Sequence, residues 1–499
     1  MAGITEDPIA EQHDVHDLNP TLGVVHLIAL GIGAIIGAGI FVITGHAAAT
    51  YAGSGVVISF AIAGLGCLFA GLCYAEFAAM IPVAGSAYTY TYATMGRFMA
   101  WFIGWNLVLE YLAAGSTVAA GWSGYFGDFM KYLGHPVPAV LASAPLCVAT
   151  DVHCATYNAS YTAFQALSHI GLTGTYLNLP AVALVAFVTV VLIVGVHLSA
   201  NFNNCMVAIK LCIVVLVIIV GLPHVVAANH TPFIPPNSEH WGHFGFSGVL
   251  RATGVIFFAY IGFDAVSVAA QEAKNPKRDV PIGILGSLLI CTVLYMLMSY
   301  VLTGLASYTT LNVTHPVSFA VEAIPSTAWL APLVNIGAIV GLASVVLVLL
   351  LGQSRIFYAM SKDGMVPPLF SNIHPKFRTP WLGSIVTGIF CALLAGALPL
   401  DILGELVSIG TLLAFVIVCL GVMVLRIAKP RAIRPFRTPF VWFAAPAGIV
   451  MCGAMMSWLP IDTWLRLVGW TIIGLVIFFA YGIKHAKAPR WHIKEHPQK

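Results

Sequence analysis

Charge is what this sequence has least of. Asp, Glu, Lys and Arg make up 8% of its 499 residues, against about 25% in an average soluble domain. So few charges cannot clothe a water-facing surface, which makes lipid the expected solvent for most of the chain. No basic stripe lies outside the short loops, so nucleic acid is not an expected partner. The ten cysteines contain no C-x-x-C pair, and zinc or dithiol chemistry has no support. There is no H-E-x-x-H, no G-x-S-x-G and no facing pair of His or Asp at metal spacing, which argues against an enzyme. Most of the 17 histidines fall in outer loops or termini, where a solvated side chain is the ordinary reading. Without a Walker A sequence an ATP-driven pump is excluded. Neither a filter-like carbonyl loop nor a ring of charge suggests a channel. Nothing in the chain calls for a cofactor.

What is present is apolar length. Mean hydropathy is +0.92 and 59% of residues are hydrophobic. A helix needs about 20 apolar residues to cross the hydrocarbon core. Twelve runs of that kind are read, at 24–48, 54–80, 97–126, 179–197, 204–222, 247–270, 280–304, 328–356, 381–398, 402–426, 441–458 and 464–484. Lys and Arg set the orientation. With the N-terminus inside, nearly all of them fall in inner loops or the tail, from Arg97 and Lys274–Arg278 to the cluster after Arg426. Lys131, Arg251 and Arg466 are left outside and Lys210 within a span. A wrong span count would scramble that asymmetry. Both termini are therefore expected in the cytoplasm. The acidic start of the chain has no basic n-region and does not read as a cleaved signal peptide.

Eight cysteines sit in or beside apolar runs and read as small hydrophobes. Cys147 and Cys154 instead share the longest outer loop, about 127–178. They either form a disulfide in an oxidising compartment or stay as two thiols. Three glycosylation sequons, at Asn158, Asn229 and Asn312, also fall on the outer side.

Two spans look interrupted. The first holds Gly31, Gly33, Gly37 and Gly39 within nine residues, and each glycine weakens a helix by about 1 kcal/mol relative to Ala. Gly37 lies about 20 Å along the span from Val24, well inside a bilayer. Unwinding there would expose amide N–H groups suited to a carboxylate. The sixth run holds Phe257-Phe258-Ala259-Tyr260-Ile261-Gly262-Phe263-Asp264, a glycine beside a carboxylate in an apolar stretch. Broken helices at matching places in two halves are a mark of transporters built from inverted repeats. Their separation by five spans predicts a five-plus-five repeat with two peripheral spans. The bland alternatives are close helix packing through Gly33 and Gly37, and a structural cation partner for Asp264.

Three stretches carry a resemblance to a known family: Gly31 to Phe41; Tyr74-Ala-Glu76-Phe followed by Pro82-Val-Ala-Gly85-Ser-Ala-Tyr88-Thr-Tyr90; and Phe257 through Glu272-Ala-Lys-Asn275-Pro276-Lys-Arg278-Asp-Val-Pro281-Ile-Gly283. From about Leu22 to Lys484 the chain resembles the amino acid–polyamine–organocation superfamily, and within it bacterial members of the cationic amino acid transporter family. The resemblance implies an all-α membrane protein of 12 transmembrane helices with the LeuT-like 5+5 inverted repeat. The division that follows is a cytoplasmic tail (1–22), a first repeat (23–222, with the outer loop), a second repeat (247–426), peripheral helices (441–484) and a basic cytoplasmic tail (485–499). It also implies a location in the plasma membrane, a bacterial inner membrane. Substrate would lie between the first and sixth helices. Its carboxylate would meet the backbone of Ile35, Gly37, Ala38, Gly39 and Ile40, and its ammonium the carbonyls of Phe258, Ala259 and Ile261 beside Asp264. Gln271 stands where many relatives have an acid, so a double-carboxylate role next to Glu272 is not carried over.

Two ionisable residues inside spans complete the expected site. Glu110 lies about 18 Å along the third span. It either relays protons or meets a substrate ammonium through water, or else makes a structural hydrogen bond. Lys210 has apolar neighbours on both sides. Desolvation disfavours an ammonium, and lysine, unlike arginine, can then release its proton. In sodium-coupled relatives of the fold a sodium ion sits between the first, fifth and eighth helices, and proton-coupled members have a lysine there. Lys210 resembles that lysine, contacting carbonyls near Gly31 and Gly33; the alternative is snorkelling to the interface. The expected activity is proton-coupled symport of small neutral amino acids, with cationic ones as runner-up. The other transport reading is facilitative exchange of cationic amino acids or polyamines. The partners are substrate, protons and the lipid bilayer.

Overall fold

A computed structural model describes residues 4–6, 22–81, 86–148, 170–194, 200–238, 240–263, 265–268, 273–377, 379–487 and 491–493. Among them, seven helices are long and apolar enough to cross a membrane, and five further apolar helices are shorter. In chain order the apolar helices are α1 (Val24–Ile35), α2 (Val56–Met80), α3 (Arg97–Tyr132), α4 (Leu179–Val194), α5 (Ala200–Gly221) and α6 (Gly245–Ile256). They continue with α7 (Pro276–Leu305), α8 (Ala331–Lys362), α9 (Trp381–Ala397), α10 (Leu400–Ala428), α11 (Val441–Ser457) and α12 (Ile461–Ile477). Two of the short ones, α1 and α6, are short because they are interrupted.

The outward faces are apolar, as a lipid solvent requires. Phe187 and Val190 on α4, Leu289 and Val293 on α7, Phe390 and Leu393 on α9, and Ile472 and Val476 on α12 are all exposed. Contiguous apolar faces of this kind would aggregate in water and are at home in hydrocarbon.

At the centre, α3 packs along α8 and α10, while α7 packs along both α1 and α2. Small residues let these helices approach: a Cβ on Gly352 would lie 2.6 Å from the Tyr111 ring, and one on Gly71 would lie 2.7 Å from Leu288. Without water to drive association in lipid, such close contact is a main source of helix–helix stability.

The third apolar run, expected to end near 126, continues as helix to Tyr132. Asp128 lowers the local hydropathy but finds partners across the bundle. Asn335 Nδ2 of α8 donates to it at 2.9 Å and Ser318 Oγ at 3.2 Å. In the outer loop that follows, β2 (Leu146–Val148) pairs antiparallel with β3 (Ile170–Leu172). Cys147 is disulfide-bonded, whereas Cys154 lies outside the described residues. β1 (Ile4–Glu6) pairs antiparallel with β4 (Trp491–Ile493), so the two ends of the chain meet on one side of the helical body. On that side a buried ion cluster ties α2 to α10 and to the segment that follows it. Glu76 receives Arg426 at 2.8 and 3.1 Å and the Thr438 amide at 2.8 Å, and Arg434 Nε lies 3.3 Å away.

Candidate functional site

The glycines of the first span divide by role. A Cβ on Gly31 would come within 2.5 Å of Ser287 Oγ, and one on Gly33 within 2.3 Å of Val207. These two are contact glycines that bring α7 and α5 close. Further along, the helix stops. Ile36 is extended, with φ −71° and ψ 99°, and regular turns resume at Gly39. The restart leaves amide N–H groups at a helix N-terminus with no acceptor within the helix.

The second interruption mirrors the first. After Ile256 the chain tightens into a 3-10 turn, Phe257–Tyr260, and Ile261 is extended with ψ 139°. Gly262 follows at φ 114°, a conformation open to glycine and strained for any other residue. The two breaks touch. A Cβ on Gly39 would sit 2.2 Å from the Ala259 Cα, and one on Gly262 would sit 2.6 Å from the Ala34 carbonyl oxygen. Neither position has room for a side chain, so the glycines fix how close the two unwound segments lie.

Two side chains cap the freed carbonyls. Lys210 of α5 is buried. Its Nζ donates to the Gly33 carbonyl and, at 3.0 Å, to that of Ile36. Its aliphatic stem lies against Gly341 of α8, where a Cβ would be 3.3 Å from the Lys210 Cβ. The ammonium therefore sits between α1, α5 and α8, and it does not snorkel. Of the two carbonyl-bearing glycines expected near it, Gly33 is a partner, whereas Gly31 faces α7. On the other side Tyr295 of α7 bridges both breaks. Its hydroxyl lies 2.8 Å from the Ile35 oxygen and 2.9 Å from the Ala259 oxygen. Its one proton serves either acceptor in turn.

Between the breaks lies a small cavity. Ala34, Ile35, Gly37, Ala38 and Gly39 form one wall, and Phe258 and Ile261 another. Ala114 and Val118 of α3 and Val345 and Leu349 of α8 close it. Among the lining residues described, no side chain is charged, so polarity comes from backbone groups. Helix ends present N–H donors at the Gly39 restart and carbonyl acceptors near Phe258. Such a pair of opposed dipoles suits a zwitterion.

Not every expected residue lies on this cavity. Ile40 is buried one step beyond the lining, and Ala259 contributes its carbonyl to Tyr295. Glu110 is buried one turn from Ala114, where a Cβ on Gly410 of α10 would lie 3.9 Å from its own. Asp264 lies outside the described residues. Tyr295, Gly341 and the four aliphatic liners were not singled out from the sequence. Each is an ordinary apolar or aromatic residue in an apolar run, and only the packing of separate helices reveals its place.

With that geometry in view, comparison with known proteins is informative. A family model described as amino acid permease matches residues 22–481. A branched-chain amino acid permease of Bacillus subtilis is 44% identical, covering 97% of each chain. A methylthioribose transporter of the same species is 42% identical over 96% of this chain and 97% of its own. Human cationic amino acid transporter 4 is 33% identical over 85% of this chain and 62% of its own.

Proposed function

Because the chain belongs to the amino acid permease family, within the amino acid–polyamine–organocation superfamily, we propose that it is a secondary transporter coupling proton entry to the uptake of neutral aliphatic amino acids. The cavity between two unwound, touching helices is the substrate site of this reading. The backbone of Gly37, Ala38 and Gly39 receives the carboxylate, and that of Phe258 and Ile261 receives the ammonium. An apolar lining of Ala, Val, Leu and Ile leaves nothing to pair with a charged substrate side chain. That favours alanine-sized to branched-chain substrates over cationic ones, in line with what the first of the Bacillus subtilis relatives is named for.

The observation that carries the reading is Lys210. Its ammonium holds the carbonyls of Gly33 and Ile36, at the point where α1 gives way to the unwound segment. Protonated, it fixes the inner half of the first helix to α5. Deprotonated, it loses its charge and one of its three N–H donors, so its hold on the two carbonyls weakens and the inner half is freer to move. Substrate at the break and a proton on Lys210 thus bias one bistable element, which is coupling in the thermodynamic sense. In the full architecture we propose, the two interrupted helices open two inverted five-helix repeats, 23–222 and 247–426. α11 and α12 are peripheral, both termini are cytoplasmic, and the host is a bacterial inner membrane.

Purified protein in liposomes, challenged with labelled alanine, leucine, isoleucine, lysine, a polyamine and methylthioribose, tests the assignment. Saturable uptake of alanine or the branched-chain compounds, raised by an inward proton gradient, is expected. Transport of lysine, the polyamine or methylthioribose with no neutral amino acid competing would overturn it.

A further inference from the structure

On α8 one row of residues spaced four apart leads from the coupling lysine to the cavity. Gly341 lies against Lys210, and Val345 and Leu349 line the cavity. The next member of that row is Gln353. On α3 the matching row carries Val118 and Ala114 on the cavity, and its next member is Glu110. The two helices run antiparallel, with Gly104 against Met360 and Tyr111 against Gly352. That register sets residue 353 level with residue 110, one turn or about 6 Å beyond the cavity. The direction is towards the Lys362 end of α8, the end assigned to the cytoplasm.

Gln353 is fully buried, and neither end of its amide has a hydrogen-bond partner among the described residues. A buried amide left unmatched costs stability. A methionine or leucine there would be cheaper in a helix packed within lipid. Stability therefore does not account for a glutamine at this place, and an unsatisfied buried amide calls for a functional explanation.

We propose that Gln353 and Glu110 form a second polar subsite, which takes the head group of the amino acid as it passes from the cavity towards the cytoplasm. The proposal rests on the transport reading above. The Gln353 amide offers N–H donors to the substrate carboxylate. Its carbonyl and the Glu110 carboxyl offer oxygens to the ammonium. A zwitterion leaving the cavity through apolar side chains alone would lose its hydrogen bonds in a medium that returns none. The subsite replaces them one turn further on. Gln353 is then a specificity element for transit, and its hydrogen bonds are made when substrate is there.

Gln353→Met keeps the volume and removes both ends of the amide. Substrate affinity is read by ligand-induced thermal stabilisation, and transit by counterflow exchange in liposomes. The variant is expected to melt higher than the parent and to bind leucine within about threefold of it, but to exchange at least about tenfold more slowly. Gln353→Asn, which returns a donor and an acceptor, is expected to recover part of the rate. Exchange at the parental rate in Gln353→Met overturns the subsite. So does a lower melting temperature with a loss of exchange that Gln353→Asn does not recover, which assigns the amide to structure. Proton-driven accumulation by the unaltered protein in the same vesicles reports separately on the transport reading.

Discussion

At the scale of single residues, the proposed coupling rests most heavily on Lys210. Lys210→Ala removes the donor to Gly33 and Ile36 without filling the space. It is expected to abolish gradient-driven accumulation in liposomes while substrate exchange persists; full accumulation by the variant would sink the coupling role. Glu110→Gln keeps the shape and removes the titratable group. Altered substrate affinity or a changed pH profile of uptake is expected, and kinetics unchanged between about pH 5 and 8 would assign the residue to structure. Lys210 was legible in the sequence because a cation amid apolar neighbours has no cheap explanation. Tyr295 was not, because a tyrosine in an apolar helix reads as ordinary packing until its hydroxyl is seen between two carbonyls from distant segments. Gln353 was hidden by its neighbour Arg355 and the nearby helix end, where a polar residue raises no question. Gly31 looked equivalent to Gly33, and only the rotation of α1 separates the face towards Lys210 from the face towards α7.

At the scale of elements, the two interrupted helices act as one unit. Gly39 and Gly262 face the backbone of the opposite break, so a side chain at either must drive the pair apart. Gly39→Val is expected to eliminate substrate binding while leaving the inserted, helical protein in the membrane; binding with unchanged affinity would contradict the close approach. Tyr295→Phe leaves the carbonyls of Ile35 and Ala259 without their shared donor. A buried acceptor so exposed costs about 1–3 kcal/mol, and a lower melting temperature in detergent should report it, with weaker substrate binding because the breaks loosen. The first break was suggested by its four closely spaced glycines and the second by Gly262 beside a carboxylate in an apolar run. Their depth of contact could not be read in the same way, since it depends on which helix faces meet. The far end of α3 was misjudged for a related reason. Hydropathy falls at Asp128, yet its hydrogen bonds to Ser318 and Asn335 keep that end helical, and those partners lie about two hundred residues away in sequence.

At the scale of the whole molecule, composition alone specified a helical membrane body, because charge and hydropathy are properties that no packing detail can reverse. The anchoring of α2 by the Glu76 ion cluster could not be foreseen. Glu76 was visible as part of a family motif, but its partners Arg426, Arg434 and Thr438 come from the other end of the chain. Removing one member of a buried ion cluster strands the other, at about 3–5 kcal/mol. Glu76→Ala is thus expected to lower thermal stability sharply, while any folded fraction binds substrate normally; a loss of affinity in stable protein would place Glu76 in the transport pathway instead. Proton movement itself is the more direct matter. Liposomes holding the unaltered protein and a pH-sensitive dye, with no pH gradient imposed, should acidify inside when leucine or alanine is added outside, and the Lys210→Ala liposomes should not. Saturable amino acid entry with no change in internal pH would contradict proton coupling outright.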